Sequence, residues 1–314
     1  MSFLDNKKIL ITGGSGFLGK NLISKIKKKN IKDLFCPRRN EYNLLNINEI
    51  KKLFFELNPD VVIHLAAVVG GIGANSLHPA KFFYENAIMG IQLFHESYIN
   101  KIEKFVSIGT ICSYPSNTEV PFKEKDLWNG YPEVTNAPYG IAKKILSVQS
   151  STYRQEYNFN SIYLMPVNMY GPHDNFDEKT SHVIPAIIKK IIEAKQKNIN
   201  EVTLWGNGSP TREFIYVEDV ADAIILATEK LNESDPVNIG TGENISIKDL
   251  AKMISTILQY NGKIKWDISK PNGQEQRKLD TTLALNKFGF KFNTNLLDGL
   301  NKTIKWYENN HLKL

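Results

Sequence analysis

Two side chains four residues apart carry the first chemical signal in this chain. They are the phenol of Tyr139 and the ammonium of Lys143, in the run Tyr139-Gly140-Ile141-Ala142-Lys143. On a helix, residues at this spacing share a face, so the two groups become neighbours. A cation beside a phenol favours phenolate and lowers a pKa that starts near ~10. Such a phenol works as an acid or base near neutral pH. A second run, Gly13-Gly14-Ser15-Gly16-Phe17-Leu18-Gly19, has the GxxGxxG spacing of a dinucleotide loop. A tunable phenol and a place for a dinucleotide together point to carbonyl reduction or oxidation. In Gly109-Thr110-Ile111-Cys112-Ser113-Tyr114-Pro115, the Thr110 hydroxyl could hydrogen-bond a substrate oxygen next to Tyr139.

These groups need elements to hold them. Lys8–Thr12 reads as a short apolar strand ahead of the glycine loop, and an amphipathic helix follows to about Lys29. Leu34–Cys36, Val61–Leu65, Phe105–Ile108 and Ser161–Met165 read as further strands. Ile47–Leu57 and Pro79–Lys101 read as helices, and the helix of Tyr139 runs on towards Tyr157. Strands alternating with helices predict an α/β fold: a Rossmann-type, doubly wound parallel sheet covered on both faces. Residues 1–170 would form the dinucleotide-binding domain, with 211–240 returning to it. Residues 171–210 and 241–314 would mainly build a smaller, interleaved substrate-binding lobe over the strand ends. Thr110 then follows a strand end, where open α/β sheets place ligands.

Glycines at 13, 16 and 19 let the backbone turn tightly and approach a pyrophosphate, while the helix N-terminus offers free N–H groups. Phe17 and Leu18 lie within that turn. An NAD site usually carries an acidic residue at the end of the second strand. This chain has Cys36-Pro37-Arg38-Arg39 there and no carboxylate before Glu41. Arg38 and Arg39 can pair with a 2′-phosphate, which predicts NADP. Asn43 and Leu44 are expected to flank the adenine, and Ala66 to border the cofactor.

Composition narrows the class. The chain has 314 residues, 42% hydrophobic and 23% charged, which is ordinary for a globular protein. No apolar run approaches the ~18 residues of a membrane span, so no membrane association is expected. Met1-Ser2-Phe3-Leu4-Asp5-Asn6 lacks a signal-peptide core, and Cys36 and Cys112 make no disulfide framework. Both fit a cytoplasmic protein. The net charge of +6 comes from scattered lysines without aromatic interleaving, so no nucleic-acid partner is expected. A modest positive field favours an anionic small substrate. His78, His95, His173 and His311 have no metal-ligand spacing with the cysteines, so no metal is expected. Cys36 and His64 read as core residues.

Thr110, Tyr139 and Lys143 together resemble the triad of the short-chain dehydrogenase/reductase superfamily, and the chain length resembles its extended branch. Longer runs narrow the likeness. They include Val69–Ile72, Asn136–Tyr139, Tyr170–Phe176, Ser181–Ala186, Leu204–Gly206, Arg212–Phe214, Lys270–Gly273 and Arg277–Asp280. These resemble, nearly end to end, the GDP-L-fucose synthase family, which are GDP-4-keto-6-deoxy-mannose 3,5-epimerase/4-reductases. The resemblance implies a reductase triad of Thr110, Tyr139 and Lys143 and an acid/base pair of Cys112 and His182. It implies that Pro166, Val167, Asn168 and Met169 line the nicotinamide, with His182 also near the cofactor. Asn168, Lys190, Trp205, Arg212, Asn272 and Lys278 would lie near a GDP-sugar. For Trp205 a core position is an equal alternative.

Several positions depart from the family. Thr110 stands where Ser is common and keeps the hydroxyl. Ile111 and Ser113 stand where Ser and Ile are usual, which is expected to reshape the pocket around the thiol. Lys190 replaces an arginine and cannot pair a phosphate in two-pronged fashion. Asn272 replaces an aspartate.

The chemistry is coherent. A ketone at carbon 4 acidifies the hydrogens on carbons 3 and 5, and inverting those centres needs a base on one face and an acid on the other. A thiol starts near ~8.5 and an imidazole near ~6.5, so modest shifts make both useful. Tyr139 would stabilise the enolate and then protonate the carbon-4 oxygen. A 4,6-dehydratase is disfavoured because Ile111-Cys112 follows Thr110 in place of an acidic pair, and a simple 4-epimerase has less need of Cys112 and His182. The closest rival is a pure 4-reductase of a related GDP-4-keto sugar, such as a heptose. A non-catalytic NADP-binding sensor is the alternative of another class. The helices at 79–101 and 139–157 match those that form dimer interfaces in relatives, so a homodimer is expected.

Overall fold

The computed structural model describes residues 2–178, 180–270 and 272–311, so Pro271 of the run Lys270–Gly273 lies outside the described residues. The first half alternates strand and helix: β1 (Lys8–Thr12), α1 (Phe17–Ile26), β2 (Asp33–Phe35), α2 (Ile47–Leu57) and β3 (Val61–His64). Then come α3 (Ile72–Leu77), α4 (Pro79–Ile99), β4 (Lys104–Ile108), α5 (Ala137–Tyr157) and β5 (Ser161–Pro166). The second half holds β6 (Asn168–Tyr170), α6 (Val183–Gln196), β7 (Glu201–Trp205), β8 (Thr211–Arg212), β9 (Phe214–Tyr216) and α7 (Val217–Lys230). It closes with β10 (Pro236–Ile239), β11 (Ile245–Ser246), α8 (Ile247–Ile257), β12 (Lys263–Asp267), β13 (Gln276–Arg277), α9 (Thr282–Phe288) and α10 (Leu296–His311).

Six strands form one parallel sheet in the order β10-β5-β4-β3-β1-β2. The chain steps outward from β1 to β2 and then crosses back to β3, so the strand order reverses between β1 and β3. Crevices at such reversals are where open α/β sheets bind ligands. Every residue of β3, β4 and β5 is buried, as a parallel sheet with both faces covered requires. On one face, Leu22 and Ile26 of α1 meet Val220 and Ile224 of α7. On the other, Ile50 and Phe54 of α2 pack with Leu93 and Phe94 of α4. β2 ends one residue short of the expected Cys36, because Pro37 has no N–H with which to extend the ladder. Likewise β3 stops at His64 and α4 at Ile99, two residues before Lys101, whose φ of +55° cannot continue a helix.

A second core lies outside the sheet. Ile187, Ile188 and Ile191 of α6, Val202 and Leu204 of β7, Leu250 and Ile254 of α8, and Leu300 and Ile304 of α10 share it. Strand β8 lies between β11 and β13, and β12 pairs with β7. α9 belongs with the first core through Ala284 and Phe288, and β9 straddles the two, with Ile215 in the first and Phe214 and Tyr216 in the second.

Lys104 opens β4 with its side chain fully buried. Its Nζ donates to the carbonyls of Thr228 and Leu231 at 2.7 and 2.9 Å, satisfying acceptors at the end of α7, and lies 4.6 Å from the centroid of the Phe3 ring. Lys104→Met removes the donors and leaves the acceptors behind, so it is expected to lower stability by about 1–3 kcal/mol. Urea unfolding checks this; equal or greater stability would contradict it.

Candidate active site

The glycine loop joins β1 to α1 at the point where the sheet reverses. Gly13 adopts φ +73°, and a Cβ there would sit 2.7 Å from the Ala66 nitrogen, which brings Ala66 against the loop. A Cβ on Gly19 would meet the Gly13 carbonyl at 2.3 Å. The loop is therefore closed to any side chain at either position. Gly16 is the N-cap of α1 and Phe17 and Leu18 open its first turn, leaving backbone N–H groups for an anion. Thr12 Oγ1 holds the neighbouring segments: it pairs with His64 Nδ1 at 2.8 Å and accepts from the Ala66 N–H at 3.3 Å. His64 is thus a satisfied core histidine, and burial followed by the charge of Lys143 lowers its pKa to about 3.

Beyond β2, Arg38 and Arg39 are both exposed. Arg39 reaches Glu85 at 3.6 Å, while the Arg38 N–H donates to Glu41 in a tight turn. Leu44 is buried in the core beside Leu10, and Asn43 is fixed by the Glu49 carboxylate, which accepts its N–H. Asn86 was missed by sequence reasoning. From α4 it accepts the Val68 N–H and donates to the Val68 carbonyl, both at 2.9 Å, and so pins the segment that follows Ala66.

The acid/base groups gather where the turn after β4 meets the start of α5. Thr110 caps that turn by accepting the Cys112 N–H at 3.2 Å. Gly140, next to Tyr139, lies so close that a Cβ would stand 2.4 Å from the Cys112 carbonyl. Ser113 Oγ donates to the Gly140 carbonyl at 2.8 Å, and Ile111 is buried in the main core. The two positions that depart from the family pattern therefore anchor the turn, one on α5 and one in the core. Tyr139 is half-buried with its ring edge-on to Phe82 at 6.5 Å. Lys143 is 3% exposed.

The expected lowering of the phenol pKa is overturned. Burial pushes Tyr139 upward, with the nearby Cys112 adding to the rise, and burial also brings Lys143 down to about 8. The i+4 cation does not outweigh the loss of water. The phenol is consequently a proton donor in the resting protein, the form that a ketone reduction consumes.

His182 precedes α6 as its N-cap residue, but its side chain makes no capping bond. The residue is exposed at the surface, while the protein around its ring lowers its pKa by desolvation. The adjoining Ser181 carbonyl lies 3.1 Å from where a Cβ on Gly71 would be, and a Cβ on Gly70 would touch Phe82 at 3.4 Å. The Gly70-Gly71 loop thus spans from the surroundings of Tyr139 to those of His182. Val167 donates its N–H to Ile239, continuing the line of β5 past Pro166, and the Asn168 side chain donates to the Glu213 carbonyl at 3.0 Å. Met169 packs on the main core.

The remaining site residues lie on the second lobe. Trp205 is 56% exposed, which excludes the core alternative, and Lys270 lies 5.8 Å from its ring centroid. Asn272 accepts the Asn207 N–H at 2.9 Å and so closes the turn after Trp205. Lys190 donates to the Thr203 carbonyl of β7 at 2.9 Å. Burial, then the charge of Arg277, lowers the pKa of Arg212 to about 10. A cleft of about 400 Å³, lined by Ser209, Pro210, Thr211, Glu275 and Gln276, opens along β8 and β13. Lys278 follows β13, its carbonyl accepting the Phe122 N–H at 2.8 Å.

Two further residues were missed. Glu213 is fully buried and accepts the N–H groups of Thr241, Gly242 and Leu279, tying β8, the loop after β10 and the residues after β13 together. Arg277 donates to the Cys112 sulfur at 3.5 Å. Both lie within runs that carry the family resemblance, Arg212–Phe214 and Arg277–Asp280, but their roles act across a large separation along the chain. Among the described residues no cluster of three or more His, Cys, Asp or Glu could hold a metal ion, and no helix is long and apolar enough to cross a membrane.

Residues 9–240 match the NAD dependent epimerase/dehydratase family. GDP-L-fucose synthase of Sinorhizobium fredii is 37% identical over 310 residues, covering 99% of this chain and 98% of that protein. The solved structure of a GDP-6-OMe-4-keto-L-xylo-heptose reductase from Campylobacter jejuni superposes with a TM-score of 0.91 at 29% identity, covering 98% of this chain and 99% of that one. The GDP-mannoheptose C4 reductase of the same organism, with NADP bound, superposes at 0.87 with 30% identity, covering 96% and 98%.

Proposed function

Because the chain belongs to the NAD dependent epimerase/dehydratase family, and within it to that of the GDP-L-fucose synthases, we propose that it is an NADPH-dependent epimerase/reductase. Its substrate is a GDP-4-keto-6-deoxy-mannose-type sugar, converted to GDP-L-fucose or a close analogue. The observation that supports this reading is the packing of the Cys112 turn on the first turn of α5, which sets Thr110 and Cys112 next to the turn that carries Tyr139. The cofactor fits the residues present: a loop that a Cβ at Gly13 or Gly19 would fill, and two exposed guanidiniums with no carboxylate before Glu41. When bound, NADPH supplies the hydride for carbon 4.

The chain's own groups do the rest. Cys112 and His182 exchange protons at carbons 3 and 5. Desolvation, which lowers the imidazole pKa, makes its protonated form a stronger donor. Thr110 and Tyr139 hold the carbon-4 oxygen, and the protonated phenol gives its proton to that oxygen as the alcohol forms. Lys143 keeps a positive charge beside this centre below about pH 8. Trp205, Arg212, Asn272, Lys190 and Lys278 bind the GDP portion, on a lobe formed chiefly by residues 171–210 and 241–314. Two chains pair through α4 and α5, whose exposed Phe83, Tyr84, Ile91, Val148 and Tyr157 supply an apolar face. The enzyme works in the cytoplasm.

A second reading, reduction at carbon 4 without epimerisation, is favoured by the close superposition on the keto-heptose reductase. The test is turnover of GDP-4-keto-6-deoxy-mannose with NADPH and with NADH. NADPH is expected to be preferred, and Arg38→Ala with Arg39→Ala to cost the NADPH reaction about 10-fold or more through KM while sparing NADH. An enzyme that consumes neither cofactor with this ketone contradicts the reading.

A further inference from the structure

The end of β2 lacks the acidic residue of an NAD site, but the fold brings one there from another helix. Glu85 of α4 sets its Oε2 3.6 Å from Nη1 of Arg39. Its neighbours on the helix fix it in place. Phe82, one turn earlier, is buried, and so is Asn86, whose amide donates to the carbonyls of Phe82 and Val68 at 2.6 and 2.9 Å. The Glu85 side chain is 14% exposed, against 66% for Arg39. Its Oε2 is shut off from solvent and accepts no hydrogen bond among the described residues. The carboxylates of the loop after β2 and of α2 are engaged elsewhere. Glu41 accepts the Arg38 N–H at 2.6 Å, Glu49 the Asn43 N–H and Glu56 the Tyr42 hydroxyl. Among the described residues, Glu85 is therefore the one carboxylate that pairs with either guanidinium.

A 2′-phosphate draws guanidinium groups into charge-assisted pairs, and a fixed carboxylate beside them works against it. The ion pair itself is long and partly exposed, so it exchanges readily. The cost lies in what stays behind. Arg39 is long and exposed and can turn to a phosphate, whereas Glu85 is held by its helix. Once Arg39 turns away, a carboxylate oxygen shut off from solvent has lost its counter-charge, which is unfavourable. A cofactor with a free 2′-hydroxyl leaves the pair as it is. We infer that Glu85 sets the cofactor preference: it is a positioning residue that holds Arg39 in the free protein and competes with the 2′-phosphate for it. The chain thus favours NADPH less strongly than its two arginines alone would allow, and keeps the use of NADH open. The role rests on the NADPH reading proposed above, but the adenosine end of the cofactor reports it without any sugar or turnover.

Calorimetric titration of the free protein with 2′,5′-ADP and with 5′-ADP isolates the contribution of the 2′-phosphate. Glu85→Gln, which keeps the shape and removes the charge, is expected to tighten 2′,5′-ADP about 3–10-fold and to leave 5′-ADP within about twofold. The preference for NADPH over NADH, read as a ratio of dissociation constants, should rise by the same factor. In an Arg39→Ala background, Glu85→Gln should lose most of this effect, because the carboxylate acts through Arg39. A merely structural role would weaken both nucleotides together. Equal or weaker binding of 2′,5′-ADP by Glu85→Gln would therefore overturn the inference. So would undiminished tightening in the absence of Arg39, which would make Glu85 a plain source of repulsion. If the parent protein does not favour 2′,5′-ADP over 5′-ADP but Glu85→Gln does, the role of Glu85 stands and the NADPH reading falls. If neither protein favours it, both fall.

Discussion

Tyr139→Phe is expected to lower kcat for ketone reduction by about 10²–10⁴-fold, with little change in KM, because it removes the proton donor and keeps the ring. Phe82 packs edge-on to that ring, so the variant should retain the cleft. The pH dependence follows from the same burial. The Tyr139 phenol is pushed upward and stays protonated through the neutral range, so it sets no alkaline limb there. Lys143 is brought down to about 8. Its ammonium is therefore present below pH 8 and is lost as pH rises, so kcat/KM should fall through that region. Lys143→Met should be slow and flat across the same range. A Tyr139→Phe enzyme within tenfold of the parent would remove Tyr139 from the donor role, and a profile still rising above pH 9 would contradict the role of Lys143.

Cys112→Ala is expected to separate the two halves of the reaction. Exchange at carbons 3 and 5 should drop by about 10²–10⁴-fold, the range expected when a positioned acid/base group is removed. NADPH oxidation should continue, now on the ketone that has not been inverted, and the product should carry altered stereochemistry. The turn should survive the change, because Ser113 and Ile111 anchor it and the Cys112 N–H still reaches Thr110. The readout is the isotope content and configuration of the product. Undiminished exchange in Cys112→Ala would show that another group is the base.

What could be read from the sequence was local. The glycine loop, the arginines at 38 and 39 and the Tyr139–Lys143 pair each sit within one turn or one loop, where spacing dictates geometry. The strands β1, β3, β4 and β5 announced themselves as short apolar runs, and their parallel pairing followed from the helices between them. The phenol was misjudged because spacing reveals the neighbouring cation but not the burial, to which Phe82 contributes from another helix. Arg277, Glu213 and Asn86 act across the fold and have no periodicity to betray them. The sequence does not reveal that Ile111 and Ser113 also anchor the thiol turn, one in the core and one on α5, because both contacts come from the packing of the turn.

A chain that first inverts and then reduces a GDP-4-keto sugar leaves an isotopic trace of the inversion in its product. The most direct measurement is incubation with GDP-4-keto-6-deoxy-mannose in heavy water, with and without NADPH, followed by mass and NMR analysis of the sugar. Deuterium is expected at carbons 3 and 5 without NADPH, and NADPH oxidation to the reduced sugar when it is added. NADPH oxidation with no deuterium at either carbon would contradict it and leave a 4-reductase in which Cys112 and His182 take no part.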